Sequence, residues 1–138
     1  MSFDQTLTTS FKQEVLLGVH DLATDTLKIA LFTAEADLNA NTTVYSTANE
    51  VVGTGYSAGG VVLTGVTVLT SGTTAYVDFN DAVWNPAAFT ARGALIYNAS
   101  KGNKSIAVLD FGSDKTATTS FTVQMPANTV TSALIRFA

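Results

Sequence analysis

The sequence predicts an all-β domain, a sandwich or barrel of about eight or nine short strands. Runs rich in Val, Leu, Thr, Tyr and Phe recur along the chain, and clusters of glycine or asparagine separate them. That alternation is typical of strands joined by tight turns. The single tryptophan, Trp84, lies between two such runs, where its ring can fill the space between two sheets.

One domain is expected from the 138 residues, with an N-terminal helix or arm over residues 1–25 and the β-sandwich over residues 26–138. A chain of this length buries about 68% of the surface that its unfolded form exposes. It contains no cysteine. A disulfide framework and a zinc finger are therefore excluded.

The N-terminal segment has helical spacing. Phe3, Leu7 and Phe11 recur every fourth residue, and Val15 and Leu16 continue the apolar stripe. Two arrangements fit this pattern. The segment forms a helix packed on its own domain, or it forms an arm that docks on a neighbouring subunit.

Capping residues give the limits of a shorter helix in the same segment. Ser10 is placed to cap its start, with Gln13 at the reciprocal position of a capping box. Gly18 is placed to end it.

The β pattern begins after residue 26. Residues 27–32 are apolar on nearly both faces, which indicates a central strand. Ser71-Gly72 is a plausible hairpin turn, Pro86 ends the segment after Trp84, and residues 112–114 (GSD) are expected to turn the chain. Residues 42–45 are a weaker candidate for an additional strand. The predicted strands are residues 27–32, 61–64, 66–70, 74–79, 90–98, 105–111, 119–125 and 132–137.

The chain is poor in charge. Charged residues make up 13%, against roughly 25% in ordinary soluble domains. Thr, Ser, Asn, Gly and small apolar residues must therefore cover the surface, which suits a protein embedded among other subunits. The net charge is −4 and the basic residues are scattered, so nucleic-acid binding is not expected. No apolar run approaches the ~20 residues of a membrane span, and the N-terminus lacks the apolar core of a signal peptide.

A possible nucleophile motif does not predict an enzyme. Gly55, Ser57 and Gly59 match G-x-S-x-G, which in hydrolases needs a helix after the serine and a histidine further along the chain. Residues 60–63 indicate a strand, and the only histidine, His20, lies upstream. Ser57 is interpreted as a turn serine, and no catalytic residue is expected.

No metal or cofactor is expected either. Asp78, Asp81, Asp110 and Asp114 could offer oxygen ligands to calcium, but they lack the close spacing of a calcium loop. Aspartates that bond their own backbone at strand ends are the commoner arrangement. His20 has no second histidine or cysteine with which to bind a transition metal.

Arg92 lies within an otherwise apolar predicted strand. A charge there must reach an edge, a carboxylate or another chain. An edge position facing solvent, where a charge discourages strand pairing, is an equally good explanation.

Several motifs in the middle third of the chain resemble, in the same order, a series found in small structural proteins of tailed bacteriophages. The resemblance is to the capsid cement, or decoration, proteins in particular. The motifs are residues 49–51 (NEV), 53–56 (GTGY), 59–60 (GG), 77–81 (VDFND), 84 (W) and 91–97 (ARGALIY).

This resemblance implies a jelly-roll-like antiparallel sandwich that binds the outside of an icosahedral head and bridges neighbouring major capsid subunits. It also implies a dimer or trimer, assembled in the bacterial host cytoplasm, with no catalytic residue, cofactor, nucleic acid or membrane partner. Phe3, Leu7, Phe11, Tyr56 and Arg92 are the expected residues of subunit or capsid contact.

The alternative is a tail or fibre module that binds a glycan of the host surface. Such a module needs exposed aromatic rings, and Tyr45, Tyr56, Trp84 and Tyr97 are the candidates.

Overall fold

The computed structural model describes residue 3 and residues 5–125 and 133–137. The described chain is mostly β with one short α-helix, which confirms the predicted fold class. Residues 126 and 128, predicted to end a strand, and residue 132, the predicted start of the last one, lie outside the described residues. In chain order the elements are β1 (Thr6–Leu7), α1 (Thr9–Leu16), β2 (Leu27–Phe32), β3 (Val61–Val62), β4 (Thr67–Ser71), β5 (Thr74–Asp78), β6 (Ala82–Trp84), β7 (Phe89–Asn98), the 3-10 helix η1 (Ala99–Lys101), β8 (Lys104–Ala117), β9 (Phe121–Val123) and β10 (Ile135–Phe137).

The described strands form three antiparallel sheets. The largest has the order β1-β8-β7-β2-β3, a second has the order β10-β5-β4, and β6 pairs with β9 in a third. The antiparallel pairing of these strands agrees with the predicted all-β sandwich, and an isolated bridge between Phe3 and Leu38 is parallel. The jelly-roll connectivity stays a prediction.

The five-stranded sheet, here named the central sheet, is buried on both faces along β2, as the apolar pattern of this strand predicts. Ile29 and Leu31 belong to the larger core cluster, which also contains Phe11 of α1 and the ring of Trp84. Ala30 belongs to a second cluster on the opposite face. Burying both faces explains why nearly every residue of β2 is apolar.

The start of α1 differs from the prediction. Thr8, not Ser10, caps the helix, because its Oγ1 accepts a hydrogen bond from the backbone N–H of Phe11 at 3.3 Å. Ser10 instead lies 3.3 Å from the hydroxyl of Ser105. The residues before the cap are extended and pair with β8, so the stripe of every fourth residue is not one continuous helix.

The end of α1 is as predicted. Gly18 has a φ of +73°, and its N–H donates to the carbonyl of Val15 while the N–H of Val19 donates to that of Glu14. These two bonds form a Schellman motif. The left-handed conformation explains the glycine.

Two predictions for the strands are wrong in detail. Residues 112–114 do not end a strand, because β8 continues through them. Ala91 pairs with Lys115 and Gly93 with Asp110, so four residues of β8 lie opposite one residue of β7 and the regular pairing is interrupted there. Residues 42–45 contribute only an isolated bridge, from Val44 to Lys104. Residues 82–84 form a strand, β6, that the sequence did not indicate.

Candidate functional site

Ser57 lies in an exposed turn, and its carbonyl accepts a hydrogen bond from the N–H of Gly60 at 3.0 Å. A turn and the short strand β3 follow it, where a nucleophile elbow would have a helix. The side chain of His20 is buried and contacts Glu14 and Asn98 instead. The G-x-S-x-G motif therefore does not assemble a nucleophile and base.

The aspartates considered as calcium ligands are dispersed. Oδ1 of Asp81 accepts a hydrogen bond from the backbone N–H of Met125 at 2.7 Å, and Asp110 pairs with Arg92. In the part of the chain that the structure describes, no three His, Cys, Asp or Glu side chains gather as a metal site would need.

The most elaborate polar cluster surrounds the buried carboxylate of Glu50. Its Oε1 accepts a hydrogen bond from the hydroxyl of Tyr45 at 2.6 Å. Its Oε2 accepts one from the hydroxyl of Tyr56 and one from the N–H of Gly59 at 2.8 Å. The Tyr56 oxygen in turn accepts from the N–H of Leu31 at 2.9 Å. Three donors satisfy a charge that would otherwise be costly to bury.

Tyr97 extends this cluster to β7. Its hydroxyl donates to the carbonyl of Gly59 at 2.6 Å, and its ring stacks on Tyr45 with 4.5 Å between centroids. Burial, followed by the charge of Glu50, raises the pKa of Tyr97 to about 12. Burial and the hydrogen bond to Glu50 also raise the pKa values of Tyr45 and Tyr56.

The chemistry of this cluster is structural. The tyrosines stay protonated at neutral pH and donate, and both oxygens of the carboxylate accept hydrogen bonds. The cluster fastens the loop between β2 and β3 to the central sheet. Sequence reasoning missed it because the donors lie in an irregular loop, where no regular spacing indicates which side chains meet. A lone glutamate in the apolar Glu50-Val51-Val52 stretch, close to tyrosines, was the available signal.

Arg92 reaches a carboxylate of its own chain. Its Nη1 pairs with Oδ1 of Asp110, and its guanidinium lies 5.4 Å from the ring centroid of Phe3. The hydrogen bond from Arg92, followed by one from the N–H of Gly112 at 2.8 Å, lowers the pKa of Asp110. The side chain of Arg92 remains partly exposed, as do Leu7 and Tyr56 among the expected contact residues.

The N-terminal apolar residues pack on their own domain, which is one of the two arrangements that the sequence left open. Phe11 is 0% exposed, and the ring of Phe3 covers Gly93 so closely that a Cβ at that position would clash with it. Leu7 is half-buried and pairs with Ala107. Phe3 and Phe11, expected as contact residues, therefore offer little surface to a partner in this fold.

The aromatic rings considered for glycan binding are also engaged within the protein. Trp84 and Tyr97 are buried. Tyr56, expected as a contact residue, packs 6.2 Å from Trp84 and uses its hydroxyl on Glu50. No observation favours a glycan-binding face built from these rings.

Large apolar side chains remain exposed elsewhere. Leu16 and Leu17, at the end of α1, are 87% and 70% exposed, and Val52 is 95% exposed. Beside the end of α1 lies a groove of about 400 Å³, here named the helix-end groove, whose lining includes Val15, Leu22, Val68, Tyr76 and Phe137. These residues are the best candidates for contact with other proteins.

Comparison with protein-family models, with curated proteins and with solved structures gave no match. Within the described residues, no helix has the length and apolar character needed to cross a bilayer. The fold and its surface therefore have to carry the functional conclusion.

Proposed function

We propose that this protein is a virion structural protein of a tailed bacteriophage. It is a cement, or decoration, protein that binds the outside of the icosahedral capsid and bridges neighbouring major capsid subunits to stabilise the head. The observation that carries the proposal is the set of large apolar side chains left exposed on a β body that has few charges. These are Leu16, Leu17, Val44, Val52, Val62, Val68, Leu69, Val83 and Phe137.

The distribution of these side chains supports bridging. They belong to the end of α1, the loop after β2, and strands β3, β4, β6 and β10, so they are not confined to one element. A protein that bridges several subunits needs several contact surfaces. Each contact can be weak, because many copies on a lattice, each holding more than one site, give durable attachment.

The ionisable side chains support an adhesive role. Glu50 is saturated with donors, Asp110 pairs with Arg92, and His20 contacts Glu14. Each of these groups is engaged by a partner within its own fold, which favours adhesion over catalysis as the role of this protein.

The test locates the protein on the virus that encodes it. Antibody-labelled particles are viewed by electron microscopy, and purified protein is added to heads that lack it. Label on the head surface, with saturable binding, is the expected result. Label on the tail together with binding on a glycan array would favour the alternative module, and absence from the particle would refute both.

A matched pair of variants connects binding to the surface. Leu17→Lys is expected to lower occupancy on heads at least about tenfold, because it charges an exposed apolar contact. Gln13→Lys places the same charge at an exposed position of the same helix and should bind like the wild type. Equal occupancy of the two variants would exclude the end of α1 as a contact.

A further inference from the structure

The strand β4 is an exposed edge. All five of its residues are exposed, and within the described chain it pairs only with β5. Alternate residues of such a strand direct their backbone N–H and C=O groups away from the neighbouring strand. The partner that satisfies a row of these groups is another strand.

None of the usual protections of an edge is present in β4. The strand contains no charged residue and no proline, and its ladder with β5 runs without a bulge from Thr67↔Asp78 to Ser71↔Thr74. The other edge strands of the described chain are shorter, with two residues each in β1 and β3 and three each in β6, β9 and β10, and a short edge is itself a protection. Among the described strands, β4 is therefore the edge best able to pair.

We propose that β4 pairs antiparallel with β4 of a second copy of this chain, about a two-fold axis at Leu69. The two three-stranded sheets then form one continuous sheet. A two-fold contact of this kind uses the same surface on both copies and closes on itself, so it gives a dimer and not a fibre.

The sequence of β4 complements itself in this register. Leu69 faces the second copy's Leu69, Val68 faces Thr70, and Thr67 faces Ser71. Apolar residues thus meet at the axis, hydroxyls meet at the ends, and no like charges face each other.

The hydrogen-bond alternation fits the same register. The hairpin between β4 and β5 has a two-residue loop, so Ser71 and Thr74 are expected to form its hydrogen-bonded closing pair. Alternation then directs the backbone groups of Val68 and Thr70 outward. Pairing about Leu69 sets these two residues opposite each other.

The apolar surface beside the strand points to the same partner. Val68 lines the helix-end groove together with Phe137, and both side chains are about half exposed. In the proposed dimer, the second copy's β4 lies beside Val68 and extends this side of the groove. Five paired residues make a small interface, so we expect a reversible dimer with a dissociation constant in the micromolar range.

The test is sedimentation velocity of the purified chain from about 1 µM to about 1 mM. The wild type is expected to shift from monomer to dimer over this range. Leu69→Lys should raise the dissociation constant at least about tenfold, because two like charges meet at the axis. Thr122→Lys, which places the same charge at an exposed residue of β9, should leave it unchanged. Circular dichroism checks that both variants fold.

A mixing experiment separates pairing from damage to the fold. Leu69→Lys and Leu69→Glu should each be mainly monomeric, and their equimolar mixture should recover the dimer through opposite charges. Amide exchange should slow at Val68 and Thr70 on dimerisation. A wild type that stays monomeric, or a dimer unaffected by Leu69→Lys, would overturn the proposal. This test uses the isolated chain, so its failure leaves binding to heads as a separate question.

Discussion

Nδ1 of His20 lies 3.0 Å from the side-chain nitrogen of Asn98, and this contact fixes the tautomer of the imidazole. The orientation of the amide is set by its other partners, because its nitrogen donates to Asp25 at 2.8 Å and its oxygen accepts from the N–H of Ser100 at 3.0 Å. Nδ1 must therefore accept. The ring proton lies on Nε2, which donates to Glu14 at 2.9 Å.

Replacing the amide with a carboxylate should disrupt this network. Asn98→Asp places a second carboxylate beside Asp25 in a fully buried position, and we expect it to lower the free energy of unfolding by about 3 kcal/mol. Urea denaturation measures the change. Asn41→Asp, in an exposed loop, should change it by less than about 0.5 kcal/mol. Imidazole nitrogen shifts that place the proton on Nδ1 would contradict the assignment.

The carboxylate of Glu50 provides a graded test. Glu50→Ala leaves the hydroxyl of Tyr56 and the N–H of Gly59 without an acceptor, and should cost about 3 kcal/mol. Glu50→Gln keeps one oxygen for these donors and can donate to Tyr45, so about 1 kcal/mol is expected. Chemical denaturation compares the two variants. An equal cost would mean that the hydrogen bonds are not what stabilises this loop.

The N-terminal segment contributes to the stability of its own domain. Phe11→Ala removes a side chain that is 0% exposed and should cost about 4 kcal/mol. Leu17→Ala, at a residue 70% exposed, should cost less than about 0.5 kcal/mol. Thermal unfolding of both variants is the measurement. Full stability of Phe11→Ala would mean that this segment packs elsewhere.

Alkaline pH should destabilise the fold. Tyr97 has a raised pKa of about 12, against an ordinary value of 10.0. The folded state thus holds a proton that the unfolded state loses. This contribution is complete below pH 10 and is lost as the pH rises towards 12. Urea denaturation from about pH 8 to about pH 11 should show a steeper decline for the wild type than for Tyr97→Phe. If the free energies of unfolding of the two proteins declined in parallel, the raised pKa of Tyr97 would be contradicted.

The elements that could be predicted from sequence are those with local causes. The apolar pattern on both faces predicted β2, the glycine at position 18 predicted the end of α1, and the size of the Trp84 side chain predicted its burial. In each case neighbouring residues, or the bulk of one side chain, decide the outcome.

What could not be predicted depends on residues distant in the chain. Thr8 and Ser10 carry the same hydroxyl, and these hydroxyls lie 2.9 Å and 3.3 Å from that of Ser105. Thr8 is the cap because the residues before it pair with the distant strand β8, so that the helix begins directly after Thr8. The residues after Phe111 look like a turn, yet pairing with β7 resumes beyond them. The donors to Glu50 lie only five to nine residues away, but in an irregular loop whose path no helix or strand period predicts, and Tyr97 joins them from the distant strand β7.

The β7–β8 hairpin has a kinetic consequence. Its strands are joined only by residues 99–103, whereas β2 pairs with β7 across the long intervening segment from β3 to β6. Closing the short connection costs less chain entropy, so this hairpin can form first and serve as a template on which β2 later docks. In a pulse-labelling hydrogen-exchange experiment, the amides of β7 around Ala94 and Leu95 would then be protected in two stages. The amides that bond to β8 would be protected first, and those that bond to β2 would be protected later.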